Sequence, residues 1–210
     1  MSNVEITRRR PDRTALTFAA TISACLWLGA SQALACACCT EPGFRNVNVV
    51  QLDDGKRAEI EQVRFAKAAI LYVGAGGLET VKGIMTPSER YKLKVTWEKD
   101  RVVFDLRDPV GASGTLALAI PHKVSIFEVD QRDAPGQGTG PTLYKEWKLT
   151  GKATGSGVFS AATGHGELLS LILQGRGNAC TSADDFAHWT LVMQGPKANY
   201  SLFGDLVRTP

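Results

Sequence analysis

The sequence predicts an all-β, mainly antiparallel fold, a β-sandwich or β-barrel of roughly eight to ten short strands with one or two short helices. Three observations carry this expectation. Apolar and polar residues alternate with period two over most of the chain. Turn signals recur every 8 to 12 residues, without the helix-and-strand alternation of a parallel sheet. A basic, then uncharged N-terminal stretch sets the first residues apart from the rest.

The leader comes first in the chain. Arg8, Arg9, Arg10 and Arg13 precede a run from Thr14 to Thr40 without a charged side chain, and Ala33-Leu34-Ala35 places small residues where a signal peptidase cuts. Residues 1–35 are therefore expected to be a signal peptide cleaved after Ala35, and residues 36–210 a single β-rich domain, periplasmic or secreted. Ile22-Ser23-Ala24-Cys25 and, less well, Ala33-Leu34-Ala35-Cys36 match a lipid-attachment box, so membrane attachment would come only through a lipid on Cys25 or Cys36. Without the leader the formal charge falls from +3 to +1, because four arginines leave with Glu5 and Asp12. No basic footprint for nucleic acid remains.

Phe44 to Leu52, with Val47, Val49 and Val50, reads as a strand, and Asp53-Asp54-Gly55 as a turn. Ile60, Val63 and Lys67 fall at helical spacing, which predicts a short helix over Arg57 to Lys67, followed by an extended Ala68 to Val73. Leu93, Val95 and Trp97 alternate with lysine and threonine, and Val102, Phe104 and Leu106 repeat the scheme across a three-residue hairpin connection. Thr115 to Ile120 and Val124 to Val129 flank Pro121. Leu143 to Leu149 puts Trp147 and Leu149 inward, after a Gly- and Pro-rich loop over Asp133 to Pro141. Leu168 to Leu173, His188 to Gln194 and Tyr200 to Phe203 complete the series, and Gly151 to Gly157 reads as a turn. Trp97, Trp147 and Trp189 are assigned to the core.

Four cysteines follow the leader: Cys36, Cys38, Cys39 and Cys180. An even number in an exported chain reads as disulfides. Neighbouring Cys38 and Cys39 have Cα atoms about 3.8 Å apart, too close for a relaxed bridge. That leaves Cys36–Cys39 with Cys38–Cys180, or Cys36–Cys38 with Cys39–Cys180. Either ties the N-terminus of the domain to a distant loop, worth about 5 kcal/mol on the loop-entropy model.

Two other chemistries fit the same thiols. The Cys36, Cys38, Cys39 cluster suits a soft metal, Cu(I) or Zn(II), although three ligands crowd into four residues. Thr181 with Asp184, or Ser182 with Asp185, has capping-box spacing, so a helical turn is expected just after Cys180, with His188 as a possible base for a thiol nucleophile. No catalytic, cofactor-binding or metal-ligating residue is assigned, and no cofactor is called for, because no motif of that specificity occurs. The reading that remains is a non-catalytic envelope domain, stapled by disulfides, that binds a small molecule or an envelope protein in a barrel mouth or on a sheet face. A barrel holding a ligand inside it would enclose an apolar cavity.

Overall fold

The period-two segments form eleven strands in the computed structural model, which describes residues 45–130, 143–164, 166–177 and 183–207. They are β1 (Arg45–Gln51), β2 (Arg64–Phe65), β3 (Ala68–Leu71), β4 (Arg90–Trp97), β5 (Arg101–Arg107), β6 (Ser113–Ala119), β7 (Lys123–Asp130), β8 (Leu143–Gly157), β9 (Leu168–Gly177), β10 (Phe186–Gln194) and β11 (Asn199–Val207). Every pairing is antiparallel. Eight strands close on themselves in the order β8-β6-β5-β4-β3-β11-β10-β9, because β9 pairs back onto β8. The fold is thus the barrel rather than the sandwich.

The barrel grows an extension at one end because β8 is fifteen residues long. Its second half pairs with β6, from Gly114↔Gly157 to Leu118↔Ala153, and its first half with β7, from Ser125↔Lys148 to Asp130↔Leu143. The two partner strands are separated at Pro121, which has no N–H to offer a ladder. β1 lies along the outer edge of β7. Gly151 to Gly157, expected as a turn, lies inside β8. The glycines answer to crowding there: a Cβ on Gly151 would fall 2.5 Å from the Ala119 carbonyl oxygen, and one on Gly155 2.8 Å from that of Phe159.

The single α-helix among the described residues, α1 (Asp54–Gln62), starts three residues before the expected one and ends five earlier. Asp-Asp-Gly is its cap and first turn: the Asp53 carboxylate accepts the Lys56 N–H at 2.9 Å. The helix stops at Val63 because the following residues are needed for β2, where Phe65 pairs with Leu206 of β11. Arg57 donates to the Glu98 and Lys99 carbonyls, fixing α1 against the β4–β5 hairpin.

The interior is packed with side chains. Leu93, Phe104, Leu116, Leu171, Leu191 and Leu202 are buried from six different strands and belong to one cluster. Trp147 and Trp189 are core residues, and Trp97 is half-buried against the cluster. Phe65 contacts Phe104 edge-on at 5.8 Å and Trp189 at 5.6 Å, while Trp147 meets Phe186 at 5.7 Å. An eight-stranded barrel is just wide enough for such filling. Side chains from all around the ring meet in this interior, and the hollow described below is open to the outside.

Candidate functional site

Strict alternation along β8 sends Tyr144 and Glu146 to the outer face of the sheet and Lys145 and Trp147 to the inner one. Cross-strand register then assembles an outer row: Val47 of β1, Phe127 of β7, Glu146 of β8, Gln174 of β9, His188 of β10 and Asp205 of β11. His188 reaches this row through a β-bulge. Phe186 stands opposite Gly175 and His188 opposite Gln174, so two steps on β10 match one on β9, with Ala187 as the extra residue. Without the bulge Phe186 and His188 would share a face. With it, Phe186 is buried against Trp147 and His188 points outward, 66% exposed.

Around the bulge lies an open hollow of about 370 Å³, lined by Tyr144, Gln174, Gly175, Arg176, Ala187 and His188. Gln174 Nε2 donates to Tyr144 Oη at 3.0 Å and to Glu146 Oε2 at 3.2 Å, and the Tyr144 hydroxyl donates to the same carboxylate at 3.1 Å. Burial raises the pKa of the Tyr144 phenol, which keeps it a donor. Phe127 packs edge-on against the Tyr144 ring at 6.0 Å. His188 Nδ1 is 2.9 Å from Asp205 Oδ1, which orients the imidazole, and Arg176 is exposed beside Tyr144. The hollow therefore presents an aromatic ring, a guanidinium, an amide and an imidazole together, with the Glu146 and Asp205 carboxylates behind two of them.

Beneath the same strands lies a buried ionic cluster. Lys145 is fully buried, with Nζ 3.0 Å from Asp185 Oδ2 and 4.0 Å from Glu59 Oε1, and 4.9 Å from the centre of the Phe186 ring. Glu128 stands opposite Lys145 across the β7–β8 ladder. Asp185, in a 3-10 turn (Ala183–Asp185), can lie over β9 because a Cβ on Gly175 or Gly177 would collide with it. Burial pushes the Glu59 carboxyl up to about 7, with Lys145 opposing the rise and Asp185 adding to it. Glu128 is also raised, by burial first.

The residues singled out from sequence divide accordingly. The expected signal peptide and Cys25, Cys36, Cys38, Cys39 and Cys180 lie outside the described residues. His188 is on the outer face, paired with Asp205 rather than with its acidic neighbours, while Asp185 turns inward to Lys145. Among the described residues no group of three His, Cys, Asp or Glu side chains is arranged to hold a metal ion. Lys145 was missed, yet it shares strand parity with inward Trp147 and Leu149, and a lysine at that parity signals a buried charge. Comparison with protein-family models, with curated proteins and with solved structures finds no match, so the chain's own geometry carries the functional reading.

Proposed function

We propose that this chain is a non-catalytic binding domain of the cell envelope that takes a small polyhydroxylated ligand, a saccharide, in the hollow over the β10 bulge. The observation that carries the reading is the bulge at Ala187, which brings His188 and its Asp205 partner onto the face that bears Tyr144, Gln174 and Arg176. Bulges re-aim side chains, and this one turns His188 outward beside Gln174. A mixed lining suits a ligand without strong net charge, whose hydroxyls both donate and accept and whose C–H face can lie on a ring. The filled interior favours the outer face over the barrel mouth.

The disulfide staple fits this reading. Arg45, the described residue nearest Cys39 in sequence, and Gly177, three residues before Cys180, lie at the same end of the sheet with β7 and β8 between their strands. Three strand spacings amount to about 14 Å. The six residues from Cys39 to Arg45 alone can reach about 20 Å.

Titrating the labelled protein with glucose, N-acetylglucosamine and chitobiose should give saturable NMR shifts confined to β8, β9 and β10 around the hollow. Gln174→Leu should weaken binding about tenfold, the cost of one polar contact in a shaped site. No saturable shift with any of the three sugars, or shifts that survive the substitution unchanged, would reject the proposal.

A second reading is favoured by one contact. His188 Nδ1 on the Asp205 carboxylate is the orientation a general base needs, and it supports a thiol enzyme built on Cys180 and His188. That reading requires Cys180 to be alkylated under native, non-reducing conditions, and more slowly in His188→Ala. Protein of unmodified mass after treatment rules it out.

A further inference from the structure

Among the described residues β1 pairs with β7 alone, which leaves its other edge open along seven residues. The strand reads Arg45-Asn46-Val47-Asn48-Val49-Val50-Gln51 and has none of the devices that blunt an edge: no proline, no inward charge and no lysine. Val47 and Val49 are 69% and 61% exposed on the outer face, next to Phe127 and Ser125, while Val50 packs against the core.

We propose that β1 is the interface of a two-fold homodimer in which it pairs antiparallel with β1 of a second copy, centred on Asn48. The strand is self-complementary in that register. Val47 faces the partner's Val49 and Val49 the partner's Val47, joining four exposed valines, and Asn48 meets its own counterpart. The one charged residue, Arg45, faces Gln51, so no like charges oppose each other. A closed two-fold contact also uses up both edges at once and stops further sheet growth. A single strand pair buries less than the roughly 1,600 Å² of a standard interface, so the dimer belongs in the micromolar range. This inference is independent of the hollow, whose residues it does not use.

Sedimentation equilibrium of the full-length purified protein should show dimers at tens of micromolar that dissociate on dilution, with slower hydrogen exchange of the β1 amides in the dimer. Val47→Lys with Val49→Lys should weaken association at least tenfold and leave the melting temperature unchanged, since both positions face solvent in the monomer. Asn48→Asp, which sets two carboxylates face to face at the two-fold, should do the same. A monomer at about 200 μM, a dimer that persists in both variants, or β1 amides already protected in the monomer by the chain's own N-terminal segment would each overturn the proposal.

Discussion

Replacing Lys145 by alanine is expected to destabilise the protein by about 3–5 kcal/mol, the range for removing one partner of a buried ion pair. The ammonium is fully buried, 3.0 Å from Asp185 and 4.0 Å from Glu59, and it lies over the Phe186 ring. Asp185 Oδ2 is close to Nζ but not aligned as a hydrogen bond, and Glu59 Oε1 has no hydrogen-bond partner either. Once the cation is gone, both oxygens face the interior with nothing to offset their desolvation. The loss comes from the buried carboxyl groups left without their cation rather than from the contact itself. A variant combining Lys145→Met, Glu59→Gln and Asp185→Asn should therefore recover most of the stability that Lys145→Ala forfeits. Urea denaturation of the single and triple variants checks this. A loss under about 1 kcal/mol for Lys145→Ala would show that the cluster is solvated.

Glu59→Gln is expected to alter how stability depends on pH. Burial raises the Glu59 carboxyl from its ordinary 4.5 to about 7. A carboxyl raised in the folded state favours folding while protonated. Its contribution is complete below pH 4.5 and is lost as pH rises through 7. The full difference is about 3 kcal/mol, at 1.36 kcal/mol per unit. Glutamine does not titrate, so the variant should gain about that much on the parent between pH 4.5 and pH 8. Glu128 is raised as well and bends the parent's profile in the same direction, but it is present in both proteins and cancels in the comparison. Parallel denaturation profiles across this range would remove Glu59 from the account.

Most of the strands were legible because one face of each is buried. Leu93 with Val95, Val102 with Phe104 and Leu106, and Leu169 with Leu171 and Leu173 show it in their burial. The choice of barrel over sandwich was not legible, because closure rests on pairings that no local pattern encodes. One is β8 with β9; the other is β3 with β11. The start of α1 was misread because Asp-Asp-Gly serves a hairpin and a helix cap equally well. His188 was noticed only for its distance from Cys180. Its orientation depends on the bulge at Ala187, and period-two reading places Phe186 and His188 on one face. Lys145 was within reach of strand parity, but its carboxylates come from α1, β7 and the 3-10 turn, far apart in sequence.

The closure of the barrel also dictates when the protein can finish folding. Its circumference is completed where β11 meets β3, at Leu202↔Leu71 and Phe203↔Ile70, between residues about 130 positions apart. Only two residue pairs join that seam, against ten between β8 and β9. A chain emerging from its N-terminus can zip its local pairings early, β3 with β4 among them, but has nothing to set against the other edge of β3 until its last strand arrives. For the envelope location proposed above, that delay would keep the ring open until the final strand has followed the rest of the chain.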